Sequence, residues 1–174
     1  MKTTALFILF ALSLSANVLI SPQEAMALAY KDATQITKKN ILLTNEQTQK
    51  IQEEAKVKLN TKIYRIFKAQ KQNELLGYGI LVNEKVRSKN AVVLYFISKE
   101  SILKSIEIIA FNEPVEYLPS REWNSQFENV KTSKMLHISK EIPTIAGATM
   151  SARSVIDGSR VAFALYNTLL KNQK

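Results

Sequence analysis

A change in hydrophobic period near Lys62 constrains the fold of this chain more than any other feature of its sequence. Before this point apolar residues recur with the spacing of a helix. From residue 62 to residue 111 they alternate with polar residues or form short continuous runs. Such patterns are typical of β-strands, and four segments fit them: 62–69, 75–82, 91–97 and 102–111. Because short polar turns separate these segments, we expect consecutive strands to pair antiparallel.

Two capping boxes predict helices before these strands. In Ser21–Glu24 the serine can accept an N–H of the first turn and the glutamate can reach back, with a proline at the first helical position. Thr44–Gln47 repeats the pattern and predicts a helix through about Leu59. The short apolar piece 41–43 lies between the two helices. Residues 17–60 are therefore predicted to form an N-terminal helical segment.

Helices are also predicted after the four strands. Ser120 can cap a short helix that carries Trp123 and Phe127 one turn apart, an aromatic pair expected to pack on the sheet. The last helix is predicted over about residues 152–171. The pattern as a whole predicts an α+β fold in which an antiparallel β-sheet is flanked by helices, with residues 61–174 as a single domain.

An uncharged run over residues 3–20 follows Lys2 at the start of the chain. Its strictly apolar part is shorter than the roughly 20 residues of a membrane-spanning helix, which favours a signal peptide over a permanent anchor. Small residues end the apolar run near Ser15 and Ala16, so the signal peptide is predicted at residues 1–16. The protein is then periplasmic or otherwise extracytoplasmic, and an uncleaved N-terminal membrane anchor is the alternative.

Composition excludes several kinds of chemistry. Among 174 residues there is no Cys and one His, so the chain cannot form a disulfide, a thiolate metal site or a multi-histidine metal site. A formal charge of +9 is compatible with nucleic acid, anionic lipid or an anionic cofactor. The lysines are not interleaved with aromatic residues, and export argues against a genomic partner, so no nucleic-acid binding is expected. His137 is interpreted as a strand-edge or core residue.

The segment before the last helix is the best candidate for a binding site. Its small residues and hydroxyls are Ala146, Gly147, Ala148, Thr149 and Ser151. Small residues let a bulky group approach the backbone, and a helix start supplies free N–H donors and the positive end of the dipole. The Thr149 hydroxyl is therefore well placed for a phosphate, either held non-covalently or esterified, with Arg153 and Arg160 near enough to add charge. The alternative interpretation is that Thr149 or Ser151 simply caps the helix.

The same segment, EIPTIAGATMSAR at residues 141–153, resembles the flavinylation motif of the FMN-binding domain family, usually written D-I-x-x-I-S-G-A-T-x-S-S-R. This family includes the flavin-carrying subunits of sodium-pumping and ferredoxin-linked membrane redox complexes. The resemblance implies that a flavin transferase attaches FMN through its phosphate to Thr149, outside the cytoplasmic membrane. Glu141 keeps the acidic first position of the motif. Ala146 replaces the family's Ser or Thr, and Pro143 stands where a second Asp is common.

The resemblance extends over about residues 75–170. Residues 106–111 are similar to the strand before the family's flavin-contacting loop, residues 113–116 to that loop, and residues 123–127 to the helix that follows. The resemblance thus implies that residues 61–174 are an FMN-binding domain, in an exported electron-transfer protein with a redox partner in or at the cytoplasmic membrane. Aromatic side chains available to stack on the flavin ring are Tyr78, Tyr95, Phe111 and Trp123.

Two other functions stay open on the sequence alone. The chain could be an exported basic module that binds anionic lipid or cell-wall polymer without any redox role. It could also be a flavin reductase that binds FMN non-covalently. Visible flavin absorbance separates the first alternative from a flavoprotein, and loss of the flavin on denaturation separates the second from a covalent carrier.

Overall fold

The computed structural model describes residues 18–173, so the predicted signal peptide lies outside the described residues. The α-helices are α1 Pro22–Ala29, α2 Asn45–Ala55, α3 Arg121–Asn124 and α4 Thr149–Leu165. α4 continues as a π-helix over Tyr166–Leu170. Single turns of 3-10 helix cover Val115–Tyr117 and Ser125–Phe127. The strands are β1 Gln35–Leu42, β2 Ile63–Lys71, β3 Glu74–Lys85, β4 Asn90–Ser98, β5 Ile102–Phe111 and β6 Val130–Lys131.

The strands form one six-stranded sheet in the order in which they occur along the chain, and all neighbours are antiparallel. The predicted α+β architecture is therefore confirmed. We call the end of the sheet where the turn Val86–Lys89 joins β3 to β4 the β3–β4 end. At this end β1, β3 and β5 finish and β2 and β4 begin.

The prediction of a wholly helical segment before Lys62 is wrong at β1, and four predicted strands become six. β1 pairs with β2 from Gln35↔Gln70 to Leu42↔Ile63, but most of its side chains are exposed on this edge of the sheet. An edge strand with little burial does not need alternating apolar residues, which is why its sequence shows no strand period. Lys38 and Lys39 lie on it, and charged side chains on an edge discourage pairing with another chain.

The caps of α1 and α2 occur where they were predicted. The Ser21 hydroxyl accepts from the Glu24 N–H at 3.2 Å, and Thr44 and Gln47 form both hydrogen bonds of the capping box. α2 ends earlier than the predicted Leu59, because Lys56 takes a left-handed conformation with φ 54°.

Helices cover both faces of the sheet. α2 and α4 contribute to a core that includes Ile51 and Val155, whereas α1 packs on the opposite face beside Phe67 and Phe96. Gly79 on β3 permits this close approach, because a Cβ there would overlap the Sδ atom of Met26.

α4 is positioned by a hydrogen bond from the sheet. The hydroxyl of Tyr95, which is fully buried on β4, donates to the carbonyl of Val155 at 2.8 Å. Gly158 lies directly against that hydroxyl. Within residues 18–173, no helix has the length and apolar character needed to cross a membrane.

Candidate cofactor site

A cavity of about 240 Å³ lies between the β3–β4 turn, the loop after β5 and the first turn of α4. Its wall is mostly apolar and carries a small number of polar groups, a combination usual for ligand sites. The lining residues are Val86, Arg87, Glu113, Tyr117, Gly147, Ala148, Thr149, Met150 and Ser151. The segment selected from the sequence therefore forms one side of the cavity, although Ala146 lies in the turn outside the lining.

The backbone at the start of α4 is shaped for an anion. Gly147 has φ 76°, a left-handed conformation that glycine adopts readily, and no atom lies within 4 Å of where its Cβ would be. Ala148 is the N-cap and has no side-chain acceptor for the N–H groups of the first turn. Such groups carry the positive end of the helix dipole, so an anion can take the place of the missing cap.

Two hydroxyls face this helix start in different ways. Thr149 is exposed and is the first residue of α4, three residues earlier than the predicted start, and its Oγ1 accepts from the Thr144 hydroxyl at 3.3 Å. Ser151 is 1% exposed, and its buried Oγ has no hydrogen-bond partner among the described residues. Neither side chain caps the helix. A buried hydroxyl without a partner is unfavourable, so a polar group brought within reach of Ser151 would stabilise this helix start.

Glu113 holds the opposite wall in place. This residue is 7% exposed, and its Oε1 accepts backbone N–H groups of Arg87 at 3.2 Å, Ser88 at 2.6 Å and Lys89 at 2.7 Å. These hydrogen bonds, that from Lys89 first, hold the pKa of the Glu113 carboxyl below its usual range. The carboxylate therefore ties the β3–β4 turn to the loop after β5.

The basic side chain at the cavity is Arg87, which the sequence did not single out. Arg160 forms an ion pair with Asp157, three residues earlier on α4. Neither Arg160 nor the exposed Arg153 lines the cavity. Arg87 reaches the site because Glu113 fixes the turn that carries it. Only the pairing of β3 with β4 and the path of the loop after β5 bring these residues together, so no local sequence signal could have identified Arg87.

The loop before α4 is anchored to the short helix α3. Nε1 of Trp123 donates to the Pro143 carbonyl at 2.9 Å, and the ring packs edge-on against Phe127 with centroids 5.2 Å apart. Glu141 accepts the His137 N–H at 2.9 Å, and this contact lowers the pKa of its carboxyl. His137 itself is exposed and is not a core residue. The aromatic pair was predicted correctly and helps to place the site.

The aromatic residue at the cavity differs from the sequence-based candidates. Those four side chains are all buried in the core: Tyr78, Tyr95, Phe111 and Trp123. Tyr117, in the 3-10 turn after Glu113, lines the cavity instead. Within residues 18–173, no group of three or more His, Asp or Glu side chains is placed to hold a metal ion.

These features define a class of protein: a single α+β domain whose antiparallel sheet positions a helix start without a side-chain cap beside a small apolar cavity. In comparisons with known proteins, no family model and no curated protein matches this chain. Its fold is similar to the crystal structure of NqrC from Shewanella oneidensis, with a TM-score of 0.56 and 13% sequence identity. The similarity covers 86% of this chain and 88% of NqrC, so the two share a fold over nearly their whole lengths.

Proposed function

We propose that this chain is an exported electron-transfer protein that carries one FMN, linked through its phosphate to Thr149. The observation that carries the proposal is the start of α4, where an exposed hydroxyl, free N–H groups and the buried, unpartnered Ser151 hydroxyl meet at one cavity. The motif resemblance and the fold shared with NqrC support the same function.

The residues present fit a phosphate ester at this position. A phosphodiester keeps one negative charge, which the helix dipole and the nearby Arg87 can offset. The Ser151 hydroxyl can donate to a phosphate oxygen and so gain the partner that it lacks. Gly147 leaves open space beside the backbone for the attached group.

The attachment itself requires a separate Mg²⁺-dependent flavin transferase with FAD as the donor. In that reaction the Thr149 oxygen forms the new bond to the FMN phosphorus and its hydroxyl proton is lost. In FAD one oxygen bridges the FMN phosphorus and the AMP phosphorus. The bond from this oxygen to the FMN phosphorus breaks, and AMP leaves with the oxygen. Thr149 is the substrate of this step, and Thr144, whose hydroxyl contacts it, is a neighbour that remains unmodified.

Bound FMN supplies one- or two-electron redox chemistry, and the protein holds the group and excludes water around part of it. Val86, Tyr117 and Met150 provide the apolar wall for such a group. A covalent tether suits an exported carrier, because it prevents loss of the cofactor where free FMN is scarce. The redox partner is proposed to lie in or at the cytoplasmic membrane.

The test is denaturing intact-mass spectrometry on chain produced together with a flavin transferase. We expect a gain of one FMN less one water, located on the peptide that contains Thr149. Thr149→Val should abolish the gain, whereas the matched variant Thr144→Val should retain it. A gain that survives Thr149→Val would place the attachment elsewhere. Flavin that is released on denaturation would favour the non-covalent reductase, and folded protein without any flavin would favour the envelope-binding module.

A further inference from the structure

Exposed apolar side chains are concentrated at one end of this molecule. Of the seven large hydrophobic side chains that are exposed within residues 18–173, six lie at the β3–β4 end of the sheet. They are Val18, Leu19, Leu42, Ile63, Val115 and Met150. The seventh, Leu28, lies at the opposite end, beside the turn that joins β4 to β5. Single exposed apolar residues are ordinary, but a concentration at one end indicates an interaction surface.

The strand register places the first pair of these residues. Leu42 ends β1 and is paired with Ile63, which begins β2, and the two side chains are 69% and 59% exposed. The Asn60 side chain just before β2 donates to the Asn83 carbonyl near the end of β3 at 3.0 Å. This corner of the sheet is thereby joined to the end that carries the β3–β4 turn.

The other four residues surround the cofactor cavity and the start of the described chain. Met150 lines the cavity, and Val115 follows Glu113, whose carboxylate binds the β3–β4 turn. Val18 is bridged antiparallel to Ala110 near the end of β5, and Leu19 follows it.

Basic side chains are concentrated on the turn at this end, while the exposed acids Glu24 and Glu46 lie on the first turns of α1 and α2. Lys85, Arg87 and Lys89 are exposed on and beside the β3–β4 turn. The Glu113 carboxylate is engaged by the turn itself, which leaves Glu116 as the exposed acid of the neighbouring loop. At the opposite end lysines are accompanied by acids, as in the ion pair between Lys99 and Glu74.

We propose that the β3–β4 end of the sheet is a docking surface for an anionic lipid bilayer. Exposed apolar side chains beside a cluster of Lys and Arg are the composition that binds an interface between anionic headgroups and acyl chains. Docking in this orientation turns the mouth of the cofactor cavity toward the membrane. The proposal does not depend on the flavin or on its attachment.

The absence of Cys permits a direct test with single labelling sites on the full chain. An environment-sensitive fluorophore is attached at Leu42→Cys, at Val115→Cys and, as the matched exposed control, at Leu28→Cys. With vesicles of phosphatidylglycerol and phosphatidylcholine, we expect a blue shift and protection from aqueous iodide at the first two positions only. A response at all three positions, or at Leu28→Cys alone, would overturn the proposed orientation.

Charge variants distinguish vesicle binding through this surface from vesicle binding through the uncharged N-terminal run, because all variants share that run. Lys85→Gln with Lys89→Gln should weaken binding to anionic vesicles at least tenfold, because each basic residue near such a membrane contributes about a fivefold gain in affinity. Lys71→Gln with Lys131→Gln removes the same charge at the opposite end and should change binding less than twofold. Equal effects of the two pairs would refute the proposal. Probe responses that follow protein concentration without vesicles would refute it too, and would assign the surface to a second copy of the chain.

Discussion

The contact between Tyr95 and Gly158 sets the distance between the sheet and α4, and a double-mutant cycle can test this. The Tyr95 hydroxyl donates to the Val155 carbonyl at 2.8 Å and lies where a Cβ on residue 158 would be. Tyr95 is fully buried, so its ring has little freedom to move away. We expect Gly158→Ala to force the helix and the sheet apart at this point.

The magnitudes follow from these contacts. Tyr95→Phe removes one buried hydrogen bond and should lower the free energy of unfolding by about 1 kcal/mol. Gly158→Ala introduces overpacking of roughly 1–3 kcal/mol, which is reduced by about 1 kcal/mol because Ala is the better helix former. In the double variant the added Cβ no longer meets a hydroxyl, and its nearest ring atom would be Tyr95 Cζ at 3.2 Å. The double variant should therefore unfold within about 1 kcal/mol of the wild type.

The assay is equilibrium unfolding in urea, followed by far-ultraviolet circular dichroism and by Trp123 fluorescence. We expect a favourable coupling of about 2 kcal/mol between the two substitutions, with unchanged denaturant slopes. Additive effects would refute the reasoning, because they would mean that the added methyl group meets something other than the Tyr95 hydroxyl.

Two further predictions concern acidic residues near α4 and the cavity. Glu113→Gln should accelerate amide hydrogen exchange in the β3–β4 turn at least tenfold at pH 7, because the turn loses its carboxylate acceptor. The control Glu116→Gln should leave that exchange unchanged. Equal exchange in both variants would contradict the role given to Glu113. Burial, followed by repulsion from Asp157, raises the pKa of Glu84 to about 7. The folded state then holds this proton while the unfolded state has released it, so the free energy of unfolding should decrease as pH rises from about 4.5 to about 7. Glu84→Gln should remove that part of the pH dependence. At pH 8 this variant should be more stable than the wild type by about 1 kcal/mol, a value reduced for solvent screening. Thermal unfolding measured as a function of pH tests both expectations.

Local patterns in the sequence were enough for much of the architecture. The capping residues Ser21, Thr44 and Ser120 satisfy N–H groups of their own helices, so a few neighbouring residues determine where those helices begin. Alternating apolar residues and short apolar runs marked the four central strands, because one or both faces of the sheet are buried there. The small residues around Gly147 marked the turn before α4, since a left-handed backbone and open space are properties of that segment alone.

Tertiary structure decided the features that depend on residues distant in the chain. β1 is a strand because it pairs with β2. Its side chains are mostly exposed, so its sequence lacks the alternation of apolar and polar residues that predicts a strand. The second wall of the cavity exists because Glu113, beyond the end of β5, binds a turn some two dozen residues earlier. The same packing buried the aromatic candidates and left Tyr117 at the cavity. The sequence by itself thus determined the starts of the capped helices, the central strands and the segment that can receive a phosphate. The opposing wall and the exposed surface around it required the whole fold, because hydrogen bonds between distant segments place them.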